Sequence, residues 1–259
     1  ALQELAATGA GLTSSLAGSE LAIYPPSTTE RPMPEAADMP SFRQAMADLD
    51  QSTVLQVGRL ATRKAFGVAL RMLGRSDQRT WALDADVQNS TFTDGFAADE
   101  ATKDRFVECK IAEQNMMSMG VGLAAAGKNV FAASFGKFIT RGYDQIEMAM
   151  NSGANMKIVG SHCGISLAAD GPSQMSLPDV AWFRSLSSTR DHNGNPGCYV
   201  LQPADAWAAY GLTAAMGDYE GMCYMRVFRP EVEFLYDEST VFDLGGMEVL
   251  TEGRDLLIV

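Results

Sequence analysis

The amino-acid sequence predicts an α/β fold built on a parallel β-sheet. From residue 59 onward, short apolar runs alternate with segments whose apolar residues are spaced three and four apart, as in amphipathic helices. Strands that alternate with helices of roughly 10–15 residues form right-handed βαβ units, which place helices on both faces of the sheet. The chain of 259 residues, 46% of them hydrophobic, is long enough for one such three-layer domain with attached segments.

Several short runs are predicted to be the strands of this sheet. Each is rich in β-branched, aromatic or other apolar residues and is bounded by polar residues or glycine. In chain order, the predicted strands cover residues 79–84, 105–109, 129–135, 157–162, 198–201 and 222–227.

The segments that connect these strands are predicted to be helices, because their apolar residues repeat with a helical period and leave the opposite side polar. In chain order, the predicted helices cover residues 62–73, 112–126, 139–150, 177–186 and 204–216. Two further helix candidates, 2–7 and 42–49, come before the first of them.

The two ends of the chain are predicted to belong to other parts of a larger protein. Prolines interrupt regular structure in residues 1–54, which we expect to be a linker arm from another domain. The main domain is expected at 55–237, and residues 238–259 are expected to open a further α/β domain. The apolar run 255–259 is typical of the start of a buried strand, although a short edge strand that closes the fold is the alternative.

Composition excludes several classes of function. Twenty Lys and Arg against 32 Asp and Glu give a net charge of −12, which disfavours binding to nucleic acid or to an anionic membrane. No apolar run approaches the length of a bilayer span, and no signal segment opens the chain. The cysteines lack zinc-site spacing and predict free thiols in a reducing compartment, so a cytoplasmic location is expected. They are Cys109, Cys163, Cys198 and Cys223.

Residues whose side chains can take part in catalysis or binding follow the predicted strands at their carboxyl ends. Ligands of open parallel sheets bind at this edge, so these side chains are expected to converge on one active site. In chain order they are Asp84, Asp86, Glu113, Phe135, His162 and Arg229. Among them, Glu113 opens a helix whose other early residues are apolar, so its carboxyl is expected in a dry pocket that favours the protonated form. The alternative for Glu113 is a helix-start glutamate stabilised by the helix dipole.

A series of motifs keeps its order and approximate spacing along the chain. The motifs lie at 61–67 (ATRKAFG), 83–86 (LDAD) with 89–92 (NSTF), 108–116 (ECKIAEQNM), 135–145 (FGKFITRGYDQ), 160–164 (GSHCG), 170–174 (DGPSQ) and 226–230 (RVFRP). Over about residues 59–236 this pattern resembles transketolase, specifically the pyrimidine-binding middle domain of the animal-type enzyme. The resemblance implies thiamine diphosphate as cofactor and the transfer of a two-carbon ketol unit from a ketose phosphate to an aldose phosphate.

The resemblance also implies a role for each matched residue near the cofactor. Glu113 matches the glutamate that hydrogen-bonds the aminopyrimidine ring, which is acid–base chemistry for a buried carboxyl. Phe135 and Phe138 match the aromatic residues that receive that ring, although two phenylalanines at this spacing also suit simple core packing. Gln174 matches a residue that touches the cofactor. Asp86 resembles an acidic residue near the thiazolium of the adjoining active site.

Five positions match the sugar-phosphate side of the family's site. Arg63, Ser90 and Arg229 match a clamp for the phosphate end, where two guanidinium groups and a hydroxyl suit a dianion. His162 matches a catalytic histidine that bonds donor hydroxyls, and a neutral imidazole can donate or accept there. Asp170 matches a residue that binds a sugar hydroxyl.

One part of the family's site has no counterpart in this sequence. A separate domain with a Gly-Asp-Gly…Asn motif holds the cofactor's diphosphate and its Mg²⁺ or Ca²⁺ ion in the family, and that motif does not occur here. No metal ligand is therefore assigned to this chain. We expect it to act on sugar phosphates within a homodimer, or with a partner chain that carries the diphosphate-binding domain, and to be inactive alone.

Three departures from the family pattern leave other functions open. Ala168-Ala169 stands where the family usually has Gly-Glu, Lys137 replaces a small residue, and 189–197 resembles a surface insertion that carries His192. A non-catalytic transketolase-like subunit is therefore one alternative. A deoxyxylulose-phosphate synthase or a 2-oxo acid dehydrogenase component, which share this domain, is another; the strings 161–164 and 172–174 favour transketolase over these.

Overall fold

The structure is a computed structural model that describes residues 38–190 and 194–256. The described residues all belong to one compact unit. The predicted helix at 2–7 and the histidine at position 192 lie outside the described residues. Among the described helices, none has both the length and the apolar character needed to cross a bilayer.

The α/β fold with a parallel sheet is confirmed. The strands are β1 Arg59–Ala61, β2 Thr80–Asp84, β3 Phe106–Glu108, β4 Asn129–Phe135, β5 Met156–Ser161, β6 Tyr199–Leu201, β7 Cys223–Arg226 and β8 Glu231–Glu233. Six of them form one sheet in the order β3-β2-β4-β5-β7-β6, and every neighbouring pair in it is parallel. β1 and β8, which were not predicted, form a separate antiparallel pair.

The helices follow the predicted order with several changes at their ends. They are α1 Phe42–Asp48, α2 Thr53–Val57, α3 Thr62–Ser76, α4 Gln88–Thr91, α5 Asp94–Ala98, α6 Glu113–Ala125, α7 Gly136–Ile139, α8 Tyr143–Asn151, α9 Asp179–Ser187 and α10 Ala206–Asp218. Short 3₁₀ turns occur at Lys103–Arg105, Thr140–Gly142 and Gly164–Asp170. Each of the six sheet strands that was predicted is present within two residues of its expected ends.

The prediction of a single helix at 139–150 is wrong. It is divided into α7, a 3₁₀ turn and α8, and the break lies at Gly142. A Cβ at Gly142 would lie 3.0 Å from Met117 Cγ, so this turn packs closely against α6. The next predicted helix, 177–186, is present as α9, which begins two residues later at Asp179, directly after Pro178.

Apolar side chains fill both faces of the sheet, and a further cluster lies outside it. In that cluster Phe42 and Met46 of α1 are buried with Trp207 and Tyr210 of α10. Part of the segment expected as a linker arm is therefore packed into the core of this unit, and α2 spans the expected boundary at residue 54. The domain boundaries themselves stay predictions.

The described part of the chain after 237 contains no helix or strand up to residue 256. Phe242 packs there against α10, where a Cβ at Gly211 would lie 2.5 Å from the Phe242 ring. Leu256 is 77% exposed. The start of a strand at 255 does not occur in the described residues, and 257–259 lie outside them. Entry into a further domain stays a prediction.

Candidate functional site at the carboxyl edge of the sheet

Strained backbone marks the carboxyl edge of the sheet. Asp86, Lys110 and His162 have φ angles of 62°, 58° and 58°, in the left-handed region that residues other than glycine rarely adopt. Each lies within two residues of the end of β2, β3 or β5. Strain of this kind persists where surrounding contacts hold it and is concentrated at functional sites.

Glu113 is the first residue of α6 and its side chain is buried, with 2% of its surface exposed. Its Oε2 lies 3.0 Å from Arg141 Nη1. The two groups are not aligned for a hydrogen bond, and Oε2 has no hydrogen-bond partner. An unbonded buried carboxyl oxygen is costly, and in the described residues the Arg141 charge is the group that compensates it. Arg141 follows Phe138 by three residues and was not singled out from the sequence.

Two phenylalanines and a histidine form an aromatic stack at the carboxyl edge of the sheet. The Phe135 and Phe138 rings are parallel within 4°, with their centroids 5.0 Å apart. On the side of β5, the Phe135 ring stacks on His162 with centroids 4.0 Å apart. Phe135 is buried and Phe138 is half-buried, so the stack ends in a partly open aromatic face. Such a face suits a flat heterocycle.

His162 is held by hydrogen bonds at both ring nitrogens. Arg63 Nη1 lies 3.2 Å from Nε2, and Ser161 Oγ lies 2.9 Å from Nδ1. A guanidinium can only donate, so Nε2 accepts and Nδ1 carries the proton of the neutral ring. Burial, Arg63 and Arg229 lower the pKa of His162 from 6.5 to about 4. The imidazole is therefore neutral at pH 7.

Arg63, the second residue of α3, contacts the loop that follows β2. Its Nη1 donates to the backbone carbonyl of Ser90 at 2.9 Å, and its guanidinium lies 5.1 Å from the centre of the Phe92 ring. Burial and the nearby charge of Arg229 lower the pKa of Arg63. Its Nε is buried and has no hydrogen-bond partner. The structure thus joins Arg63 to Ser90 through the Ser90 backbone carbonyl, and the role of the Ser90 hydroxyl at the phosphate end stays a prediction.

Arg229 and Asp170 form an ion pair at 3.1 Å, with both side chains partly exposed. Arg229 lines a cavity of about 420 Å³ whose wall also includes Arg63 and Ala169. Lys64, also in this wall, is paired with Glu231 at 2.9 Å. The residues predicted for the phosphate end therefore come together. Ala169, one of the two departures in the 168–169 pair, opens onto the same cavity.

Asp86 and Gln174 are less closely connected to the other predicted residues. Asp86 is exposed, and its backbone N–H donates to Glu108 Oε1 at 3.1 Å. Gln174 is half-buried, and its N–H donates to the carbonyl of Gly171 at 3.2 Å. Their roles toward the cofactor stay predictions.

Asp84 lies at this edge as expected, but it organises the loop beneath the site. It is fully buried and accepts hydrogen bonds from Val87 N and from the hydroxyls of Thr91 and Thr93. Burial raises the pKa of Asp84 to about 6, against the opposing effect of these bonds. The resulting loop carries Ser90.

Within the described residues, no group of three or more His, Cys, Asp or Glu side chains is arranged to hold a metal ion. All four cysteines are free thiols and are buried. The described part of this chain therefore offers no ligand set for the metal ion, which the sequence analysis assigns to a separate domain.

Comparison with known families decides the relationship. The family described as transketolase, pyrimidine binding domain, matches residues 58–233. The chain belongs to this family. The match extends from the residue before β1 to the last residue of β8, so the small antiparallel pair lies at both ends of the family's domain.

Curated relatives of this pyrimidine-binding domain are transketolases and transketolase-like proteins. The chain is 40% identical to human transketolase over 224 residues, which is 86% of this chain and 34% of that protein. It is 39% identical to mouse transketolase-like protein 2 over 223 residues, which is 85% of this chain and 34% of that protein. The chain thus spans about a third of the length of these relatives.

Solved structures show the same fold. A split gene transketolase, described as an inactive beta4 tetramer, is 32% identical and has a TM-score of 0.63 over 76% of this chain and 60% of that chain. Transketolase from Campylobacter jejuni has a TM-score of 0.61 at 19% identity, over 69% of this chain and 27% of that chain. The second likeness concerns the fold alone.

The residues at the edge fit the aminopyrimidine ring of thiamine diphosphate. A buried carboxyl oxygen of Glu113 lacks a hydrogen-bond partner, and an aromatic face at Phe138 is partly open. A flat heterocycle carries both features that these residues can bind, an aromatic face and ring nitrogen atoms.

Proposed function

We propose that this chain supplies the pyrimidine-binding half of a transketolase active site. The assembled enzyme transfers a two-carbon ketol unit from a ketose phosphate to an aldose phosphate with thiamine diphosphate as cofactor. One observation carries the proposal: the buried Glu113 carboxyl has an unbonded Oε2 at the edge that also holds Phe135, Phe138 and His162. When bound, thiamine diphosphate supplies the carbon nucleophile that accepts the ketol unit.

Glu113, Phe135 and Phe138 would bind and orient the cofactor's pyrimidine ring. Glu113 Oε2 forms a hydrogen bond with a ring nitrogen, and burial keeps this bond away from competing water. The face of Phe138 packs against the ring and excludes water from it. Gln174 and Asp86 are proposed to contact the cofactor from the neighbouring loops.

His162 would bind the hydroxyl groups of the sugar. Its ring is neutral at pH 7, because burial and two arginines lower its pKa to about 4. Arg63 occupies Nε2 in the structure, so a sugar hydroxyl would donate to this atom in place of Arg63. Asp170, at the mouth of the same region, would bind another hydroxyl once Arg229 turns to the phosphate.

Arg63 and Arg229 would bind the phosphate end of the substrate. They repel each other electrostatically, which is why the nearby charge of Arg229 lowers the pKa of Arg63. A dianionic phosphate between them relieves that repulsion and gains charge-assisted hydrogen bonds. The Ser90 hydroxyl, on the loop that Arg63 contacts, is proposed to complete this clamp.

A partner must complete the site. Apolar side chains are exposed on the loops and helix starts of the carboxyl edge, where a partner domain would cover them. This edge set consists of Ile111 (67% exposed), Tyr143 (41%), Ile165 (75%) and Leu177 (58%). The chain spans about a third of its relatives. We propose that the covering domain holds the diphosphate and a Mg²⁺ or Ca²⁺ ion and belongs either to a partner chain or to a homodimer of a longer protein.

The similarity to a split gene transketolase supports a partner chain. That protein, which this chain resembles at 32% identity, is described as an inactive beta4 tetramer. By analogy, this chain alone is expected to be inactive, and addition of a chain with the diphosphate-binding domain is expected to restore activity. The cytoplasmic location expected from the sequence stays part of the proposal.

A non-catalytic subunit is the second candidate function. Ala169 removes a family carboxylate from the cavity wall, and the half-buried Lys137 lies in the sequence segment that joins Phe135 to Phe138. Calorimetric titration of thiamine diphosphate with Mg²⁺ into the chain plus its diphosphate-binding partner separates the two functions. Saturable binding supports the catalytic proposal, and absence of binding supports the non-catalytic subunit.

The related thiamine-dependent enzymes differ from transketolase in the substrate that they consume. A synthase or a 2-oxo acid dehydrogenase component would consume pyruvate or another 2-oxo acid, whereas transketolase consumes a ketose phosphate. The transketolases among the curated relatives favour ketose phosphate. Parallel assays of the assembled protein with pyruvate and with xylulose phosphate decide between them, and turnover of pyruvate alone would contradict the transketolase proposal.

A further inference from the structure

A buried ion pair lies beneath the His162 turn and has no part in the function proposed above. Asp179, the first residue of α9, is fully buried. Its Oδ2 accepts hydrogen bonds from Arg226 Nε at 2.6 Å and from Tyr224 Oη at 2.7 Å, and its Oδ1 accepts one from Arg226 Nη2 at 3.2 Å. A buried ion pair is often no more stabilising than apolar packing, so stability alone is a weak explanation for it.

This pair connects the elements that meet under the turn. Tyr224 and Arg226 lie on β7, and β7 pairs with β5, the strand that ends directly before His162. Cys163, the next residue, is fully buried, and its Sγ lies 3.6 Å from Tyr224 Oη. A chain of contacts therefore leads from Asp179 through Tyr224 to the residue after His162.

The His162 backbone requires such support. Its φ of 58° is unfavourable for a residue with a Cβ and persists only where the surroundings hold it. Two backbone bonds secure the following residues: Cys163 N donates to Val227 O at 3.4 Å, and Gly164 N donates to Ser176 O at 2.8 Å. Val227 follows Arg226 directly, so the ion pair also fixes the strand that accepts the first of these bonds.

We propose that Asp179 and Arg226 are positioning residues for His162. Acting through Tyr224 and Cys163, they hold the left-handed backbone of the turn and thereby hold the imidazole in its place at the edge. The consequence for ketol transfer rests on the proposed function, whereas the positioning itself does not. Neither residue touches substrate or cofactor in this account.

A simpler role for Asp179 would be to begin α9. A carboxylate in the first turn stabilises a helix through its dipole without being buried. Here both oxygens are engaged by β7, which a helix-start role does not require. Asp205 provides a matched control, because it is also fully buried and caps α10 by accepting from Ala208 N at 2.9 Å.

The test measures the pKa of His162 and the NMR shifts of its ring protons. The chain contains only two histidines, so His192→Gln leaves a single imidazole whose protons are followed by NMR as pH is changed. The groups that face this ring are Arg63 from α3, Ser161 from β5 and Arg229 from the segment after β7. Because burial and the two arginines lower the pKa of the ring to about 4, displacement of the ring raises its pKa toward 6.5.

Asp179→Asn and Asp205→Asn are compared in this background, with circular dichroism to verify folding. Asp179→Asn is expected to raise the His162 pKa by about one unit or more. It should also reduce the upfield shift that the Phe135 ring imposes on the imidazole protons. Loss of a negative charge alone would lower the pKa, so a rise reports movement of the ring. Asp205→Asn is expected to leave both signals unchanged.

Tyr224→Phe keeps the test decisive if Asp179→Asn does not fold, because it removes only the hydroxyl between Asp179 and Cys163. It is expected to shift the pKa in the same direction by a smaller amount. A folded Asp179→Asn or Tyr224→Phe protein with an unchanged His162 pKa and unchanged imidazole shifts would overturn the proposal. Expected shifts in a protein that shows no ketol transfer when assembled would support the positioning and contradict only the proposed function.

Discussion

The imidazole of His162 stacks on the ring of Phe135 at a centroid distance of 4.0 Å and an interplanar angle of 21°. The contact joins a residue predicted for the sugar to one predicted for the cofactor. It also removes most of the histidine from water, leaving 3% of it exposed. Burial and two neighbouring arginines then keep the ring neutral, which is the state used in its proposed role of binding sugar hydroxyls.

The lowered pKa of His162 predicts a pH-dependent stability. The folded protein holds this ring with a pKa of about 4, against 6.5 for an ordinary histidine, so the unfolded chain binds the proton more tightly. The contribution is complete above pH 6.5 and is lost as pH falls toward 4. Between pH 7 and pH 5, His162 should account for a loss of about 2 kcal/mol in the free energy of unfolding.

Urea unfolding of the wild-type chain and of His162→Gln at both pH values measures this loss. The wild type should lose more stability than the variant. Asp84, whose pKa is raised to about 6, titrates in the same range with the opposite sign. Its contribution is present in both proteins and cancels in the comparison. Equal losses in the two proteins would show that His162 is not held neutral by the fold.

Arg229→Ala should weaken binding of phosphorylated sugars in the assembled enzyme. Loss of a charge-assisted contact predicts an increase of about 10- to 100-fold in KM for a ketose phosphate. KM for a ketose without phosphate should stay nearly unchanged, since the contact is specific to the phosphate. Steady-state kinetics with both substrates provide the measurement. Arg43→Ala is the control, because Arg43 is an exposed arginine paired with Glu238 away from the cavity. Equal effects on both substrates would contradict a phosphate role.

Ile165→Asp should prevent assembly with the diphosphate-binding partner. Ile165 is 75% exposed in the turn after β5, and a charge there cannot be covered by an apolar surface without loss of its hydration. Analytical ultracentrifugation of the mixed chains measures complex formation. Met247→Asp, at 74% exposure in the C-terminal segment, is the matched control. Normal assembly of the Ile165 variant would place the interface elsewhere.

Asp84→Ala should destabilise the fold by about 2–4 kcal/mol, because it leaves Val87 N and two threonine hydroxyls without their acceptor in a buried site. Urea unfolding at pH 7 provides the value. Asp104→Ala, an exposed aspartate, should change stability by less than about 0.5 kcal/mol. Equal effects from the two substitutions would contradict the scaffold role of Asp84.

The fold was predictable because each sheet strand is apolar and short and is separated from the next by a helical pattern. The residues at the carboxyl edge followed from topology, since parallel strands bring Glu113, Phe135 and His162 to one side. The antiparallel pair β1–β8 was not predicted, because β1 runs directly into α3 and β8 consists of one valine between two glutamates rather than an apolar run. The break at Gly142 was missed for another reason: it depends on contact with Met117 of α6, which no local pattern reports.

The contacts that support the site could not be predicted from the sequence pattern either. Asp179 and Arg226 are 47 residues apart, and Glu113 and Arg141 come from different connections of the sheet. Their pairing depends on side-chain directions in the packed fold rather than on spacing along the chain. The family motifs include Glu113, Arg141 and Arg226 but not Asp179, and they did not indicate which of these residues pair.

The role of Glu113 is the central claim, and ketol transfer by the assembled enzyme tests it most directly. Initial rates with a ketose phosphate and an aldose phosphate are compared for wild type, Glu113→Ala and Glu113→Gln, with Glu100→Gln, 86% exposed at its side chain, as control. Both Glu113 variants should retain the fold and lose at least about 100-fold in rate, while the control retains full activity. Unchanged turnover in a folded Glu113→Ala enzyme would contradict the account.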